Sequence, residues 1–117
     1  MTPRREGTEI LGEIEQLVLI AVLRLDGQGY AVPIRDLIHE TAGVSLLRGS
    51  IYVTLERLER KRFVESWFSE PTGVRGGKAR RLFRIRPAGV AALRESRSAV
   101  DRLAAGTIVA TPQGRRV

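Results

Sequence analysis

The sequence predicts a mainly α fold carrying a single β-hairpin, and three observations support this. Apolar stripes at helical spacing recur three times before residue 61, separated by short glycine-marked turns. Two short runs rich in aromatic and β-branched residues then flank a glycine-rich, basic turn. A last amphipathic segment opens with Pro87, a residue suited to the first position of a helix. The 117 residues and 43% hydrophobic content fit one globular domain whose core needs neither metal nor disulfide.

The elements can be justified in order. Thr2–Gly7 is short and polar and contains Pro3, as expected of a frayed terminus. Between Glu9 and Leu25, Ile10, Ile14, Leu17, Val18, Ala21 and Leu25 keep helical spacing, and Leu11, Ile20 and Val22 broaden the apolar face. A helix so widely apolar lies deep in a fold or in an oligomer interface. Asp26-Gly27-Gln28-Gly29 stops it. A second helix is predicted over Val32–Thr41, with Pro33 in its first turn, Ile34, Leu37 and Ile38 as its stripe, and Gly43 as its stop. A third begins at Arg48 or Gly49 and runs to about Lys61. Its Ile51, Leu55 and Leu58 face the core, and Ser50, Thr54, Arg57 and Lys61 share a solvated side.

Strands are predicted over Phe63–Ser69 and Arg81–Arg86, with a flexible cationic tip between them. In the last helix, Pro87 to about Ala105, Val90, Leu93, Val100 and Leu103 form the apolar stripe. A core helix gives that pattern and so does a dimerisation helix; its place after a complete unit favours the dimer. Residues 1–8 are thus expected to be a flexible N-terminus and 9–86 a winged helix-turn-helix DNA-binding domain. Residues 87–105 are expected to form a dimerisation helix and 106–117 a flexible basic tail.

Charge and composition narrow the function. The net charge is +7, and it is segregated: Arg57–Arg97 holds twelve basic residues against four acidic, whereas Glu6–Glu40 holds seven acidic against two basic. Such a patch favours a polyanionic partner, nucleic acid or an anionic membrane surface. No helix pairs a large apolar face with a Lys/Arg-rich one, which argues against the membrane, as does the lack of any apolar run near 20 residues. The sequence contains no cysteine and one histidine, His39, so thiol nucleophiles, Cys-based zinc sites and His-rich metal sites are excluded. Gly77-Lys78 resembles the end of a phosphate-binding loop, but Ala79 stands where Ser or Thr is required. No acid, base or nucleophile constellation points to an enzyme, and no cofactor or metal is expected. The lone His39 reads as a surface residue and Trp67 as packing in the strand.

Three helices, a hairpin and a helix make a winged helix-turn-helix, in which the third helix enters the major groove and the hairpin reaches adjacent backbone or minor groove. Ser50 and Thr54 are small enough for close approach, and Arg48 and Arg57 can contact guanine edges or phosphates. An ordinary solvated face is the alternative for Arg57 and Lys61. At the hairpin, Arg75, Lys78, Arg80 and Arg81 surround Gly76 and Gly77, which permit close backbone approach to a phosphate.

Leu11–Leu19, Arg48-Gly49-Ser50-Ile51-Tyr52-Val53-Thr54-Leu55-Glu56-Arg57-Leu58-Glu59, Gly76–Phe83 and Pro87-Ala88-Gly89 together resemble the PadR family of transcriptional regulators over residues 10–104. The resemblance implies a homodimeric winged-helix repressor on a palindromic operator, released in some members by a small-molecule inducer. It places Tyr52 at the DNA beside Ser50, Thr54 and Arg57, although the ring could equally brace the helix from the side. It also places the first and last helices in the dimer interface, which assigns Ile14, Leu17, Val18, Val90, Leu93, Val100 and Leu103 to that contact.

Three departures stand out. Tyr30-Ala31 replaces Tyr-Gly before the second helix, Arg62 replaces the glycine that ends the third, and Arg86 replaces a capping Thr before the last. The last helix also lacks an aromatic residue, which argues against a ligand stacked between two such helices. The expected protein is a cytoplasmic, sequence-specific regulator binding double-stranded DNA. The alternative is a winged-helix protein-interaction module; RNA binding is weaker, since no aromatic stacking surface is evident.

Overall fold

The computed structural model describes residues 9–70 and 79–111. Its elements are α1 (Glu13–Leu25), α2 (Ala31–Ala42), α3 (Arg48–Arg60), β1 (Val64–Phe68), β2 (Arg81–Ile85) and α4 (Pro87–Ala104). The strands pair antiparallel with Val64 opposite Ile85 and Phe68 opposite Arg81. One core joins all the elements: Val18, Leu19, Ala21 and Val22 from α1, Ile34 and Ile38 from α2, Ile51, Leu55 and Leu58 from α3, Val64 and Phe83 from the hairpin, and Leu93 from α4. Val18 and Leu93 are therefore corrected from the dimer assignment. Both are enclosed within the chain's own core, which takes up Val18, Leu19, Ala21 and Val22 of α1 and leaves Ile14 exposed.

Helix α1 starts four residues later than its apolar spacing suggests. Gly12 is extended, and its N–H donates to Glu15 Oε1 at 3.0 Å, half of a capping box. The residues ahead of it form a strap instead of a helical turn. Leu11 is buried, its N–H donates to Ser96 Oγ of α4 at 3.0 Å, and its carbonyl accepts from Gln16 Nε2 at 2.9 Å. The apolar pair Ile10-Leu11 extended the sequence periodicity without sharing the helix.

The hairpin is docked by a contact outside its own ladder: the Phe83 N–H donates to the Gly29 carbonyl at 2.8 Å, tying β2 to the α1–α2 turn. At the other end, α4 enters directly over the end of α3. Arg86 N–H donates to the Phe63 carbonyl at 2.9 Å, and a Cβ at Gly89 would overlap that same carbonyl oxygen. Only glycine fits there. Arg86 precedes the helix with no side-chain cap, and Pro87 takes the first helical position.

The end of α3 is a Schellman turn. Phe63 N–H donates to Leu58 O and Arg62 N–H to Glu59 O, both at 2.9 Å, with Arg62 in the left-handed region at φ 68°. An L-residue with a Cβ is strained there, whereas glycine is not. Replacing Arg62 by Gly is expected to raise stability by about 0.5–1 kcal/mol, net of glycine's greater unfolded-state entropy. The denaturant midpoint should rise with an unchanged slope; an unmoved midpoint would contradict the strain.

Helices α1 and α3 are also joined by charge. Lys61 Nζ donates to Glu15 Oε2 at 3.0 Å and to Glu9 Oε2 at 3.2 Å. Burial alone would push the Glu15 carboxyl up, but the Gly12 N–H, the Lys61 ammonium and the Arg57 charge outweigh it and hold Glu15 below its ordinary value. Burial would likewise lower Lys61, but its two carboxylate partners raise it above its ordinary value. Glu15 therefore contributes stability that is complete above its unfolded pKa and is lost as pH falls, while the Lys61 contribution is lost only as pH rises through its raised value. The gap in unfolding free energy between the wild type and Glu15→Gln should be constant near neutrality and narrow below about pH 4.5. A gap unchanged down to about pH 3 would contradict this linkage.

Candidate nucleic-acid interface

The rotation of α3 about its axis decides which side chains it can present. With Ile51, Leu55 and Leu58 wholly enclosed, the opposite ridge is Gly49, Val53, Glu56 and Arg60 at one- and two-turn spacings. All four are exposed. Arg57 and the half-buried Ser50 lie along one flank of this ridge, and Arg48 and Tyr52, 41% exposed, along the other. Four of the residues expected at a nucleic acid thus gather around one solvent-facing strip of helix.

Thr54 does not. It is 4% exposed, and its hydroxyl donates to the Ser50 carbonyl one turn earlier at 2.8 Å. The expectation that it shares a solvated side with Ser50 and Arg57 is corrected, because Thr54 sits on the core side of that flank. Lys61 is corrected as well, being half-buried and held by Glu15 and Glu9.

Arg81 was expected among the free cations of the hairpin. Its guanidinium instead meets Glu59 at 2.5 Å and Glu56 at 3.7 Å, donates to Ser66 Oγ at 3.2 Å, and lies 5.1 Å above the Phe83 ring. It braces β2 against α3. Arg80, one residue earlier, is exposed and lies over the Tyr30 ring at 4.8 Å, beside the start of α2. Arg84 covers Trp67 at 5.2 Å and presses on Gly27, where a Cβ would come within 2.6 Å of its Nη2. Arg75 and Lys78, with Gly76 and Gly77, lie outside the described residues.

Among the described residues, Arg48, Arg57 and Arg60 make no ion pair. The sequence reading passed over Val53, Glu56 and Arg60. The signal for them was available, since positions opposite the Ile51-Leu55-Leu58 stripe follow from the helical period alone.

A second exposed surface lies along α1 and α4. Ile14 is exposed and Leu17 and Val90 half-buried, while Val100 is 55% and Leu103 86% exposed. A groove of about 500 Å³ runs between Gln16, Leu17 and Ile20 of α1, Ala42 and Val44 after α2, and Val100 of α4. Among the described residues no cluster of acidic or histidine side chains is placed to hold a metal ion, and no helix is long and apolar enough to cross a membrane.

Comparisons with known proteins agree with this architecture. No curated protein sequence matches the chain. A PadR family transcription regulator from Clostridium difficile superimposes with a TM-score of 0.65 at 22% identity, covering 80% of this chain and 95% of that one. A PadR-like transcription factor from Bacteroides fragilis gives 0.66 at 21% identity over 77% and 82% of the two chains. Bacillus subtilis PadR, solved in complex with operator DNA, gives 0.59 at 16% identity; the match covers 89% of this chain but 51% of that larger one. These likenesses establish the winged-helix fold of four helices and an antiparallel hairpin. The model of the transcriptional regulator PadR-like family matches residues 19–95, and the chain belongs to that family.

Proposed function

We propose that this regulator binds specific duplex DNA as a homodimer, with α3 in the major groove and the hairpin against the neighbouring backbone, and represses by occupying promoter DNA in the cytoplasm. The observation that carries the reading is the outward strip of α3, where Arg48, Arg57 and Arg60 form no ion pair among the described residues around a ridge that begins at Gly49. Apart from its chain neighbours and its own helix backbone, no described atom lies within 4 Å of a Cβ built at Gly49, so the ridge is open at its leading end. The major groove is roughly 12 Å wide and accepts one such helix. Bacillus subtilis PadR, which shares the fold, was solved in complex with operator DNA, and this supports the DNA-binding reading.

The dimer rests on the second surface. Val100 and Leu103 expose large apolar side chains on the last two turns of α4, and Ile14 does so on α1. Covering them with the same surface of a second copy makes a two-fold contact, and a two-fold protein calls for a palindromic operator. The groove beside Leu17 and Val100 is where an inducer would meet that contact. Its lining holds no aromatic ring, so such a ligand would be held by aliphatic and polar contacts with Arg97 and Asp101.

The exposed apolar residues Leu47, Tyr52 and Val53 on or beside α3 give the protein-interaction reading its one specific support. The guanidiniums around them favour DNA.

With about four phosphate contacts per subunit, binding should weaken with salt at a log–log slope of roughly −7 for the dimer. Fluorescence anisotropy from low to physiological salt measures it, and a slope near zero would contradict the electrostatic account. Arg57→Ala should change which sequences are preferred, whereas Arg80→Ala, which removes one phosphate contact from each subunit, should weaken all sequences alike and flatten the dimer slope by about 2; the reverse pattern would overturn these roles. Leu103→Asp leaves the protomer core untouched and should convert the dimer to monomer in sedimentation equilibrium. A dimer that persists in this variant would remove α4 from the interface.

A further inference from the structure

Val53 occupies an anomalous position. It is 54% exposed at the middle of the outward ridge of α3 and takes no part in the protomer's hydrophobic cluster. A β-branched residue on an exposed helix surface loses side-chain freedom and gains nothing by burial. Along the strip Gly49 precedes it by one turn, Glu56 and Arg57 follow at one turn and Arg60 at two; the Glu56 carboxylate is countered by Arg81 at 3.7 Å, which leaves the guanidiniums of Arg57 and Arg60 as the unpaired charges beside it among the described residues. A partner for this spot must therefore be anionic over most of the strip and apolar at one point within it.

Duplex DNA has one such feature in its major groove, the thymine 5-methyl group, which projects among hydrogen-bonding base edges between two phosphate backbones. We propose that Val53 is a specificity-determining residue that packs against a thymine methyl, so that each operator half-site carries a required thymine opposite it. The inference rests on the DNA-binding reading above and adds a base identity to it. Tyr52 and Arg57 flank Val53 and position the helix, while the bare ridge at Gly49 lets the backbone come close enough for a side chain as short as valine to reach the groove floor.

The test starts from selection of bound sequences out of a random duplex library by the full chain. In the duplex recovered, each thymine of the half-site is replaced in turn by deoxyuridine, which removes the methyl and leaves pairing and groove hydrogen bonds unchanged. Affinity is then measured at fixed salt for the wild type and for Val53→Ser, a substitution at an exposed position that leaves the core intact. One thymine per half-site is expected whose replacement weakens the wild type by about fourfold, the effect of one buried methyl, and leaves Val53→Ser unaffected. A recovered half-site in which no replacement distinguishes the two proteins would overturn the assignment of Val53 while leaving DNA binding standing. An equal penalty for both proteins would give the methyl to another residue and overturn it as well. Failure to enrich any half-site would overturn the DNA-binding reading and this inference together.

Discussion

The enclosure of Ile51, Leu55 and Leu58 sets the terms for the rest of the molecule. Three large aliphatic side chains on one stripe of a thirteen-residue helix, each removed from water, leave α3 a single rotation about its axis. Burial of each is worth roughly 1.5–3 kcal/mol, so a rotation exposing them would remove a large share of the stability of a small domain. That rotation turns Val53, Glu56 and Arg60 outward and Thr54 inward. The side chains proposed to meet DNA are thus presented as a by-product of core packing.

Ion pairing then sorts the basic residues into two groups. Lys61 and Arg81 are partly buried and tied to Glu15 and Glu59, so they fasten the end of α3 to α1 and to β2. Exposed pairs such as Arg86–Glu65 at 3.9 Å add little to stability. Arg48, Arg57 and Arg60 carry charge that no described residue neutralises by a salt bridge. A positive net charge therefore overstates the surface available to a polyanion, and the positions of the free guanidiniums matter more than their number. The acidic residues of the first 40 positions are partners as well as counterweights: Glu9 and Glu15 reach Lys61 across the α1–α3 contact.

Most of the fold was legible because its elements are short, periodic and punctuated. Gly43 ends α2, Pro87 begins α4, and the aromatic runs give both strands within a residue or two. The start of α1 was not legible, since Ile10 and Leu11 keep the helical period while hydrogen bonds to Ser96 and Gln16 hold Leu11 in a strap ahead of the helix. The Gly29–Phe83 bridge escaped because a single long-range hydrogen bond leaves no pattern in the chain. In the site, Thr54 and Arg81 were misassigned for one reason: residue type and spacing suggest what a side chain can do, but a carbonyl one turn back or a glutamate on the next element decides what it does. Arg62 stands where the family pattern has a helix-ending glycine, and its positive φ is the conformation a glycine there would adopt without strain.

The central claim is that the outward strip of α3 is the surface that meets DNA. The chain has no cysteine, so one introduced at a chosen position is its sole thiol. The most direct measurement is the rate of maleimide labelling of Val53→Cys, Arg60→Cys and Arg24→Cys, each with and without excess mixed-sequence duplex DNA at low salt. Arg24 is exposed on the last turn of α1, outside α3. The account predicts that DNA slows labelling at positions 53 and 60 and leaves position 24 unchanged. Labelling at 53 and 60 that proceeds equally fast with DNA bound would contradict it.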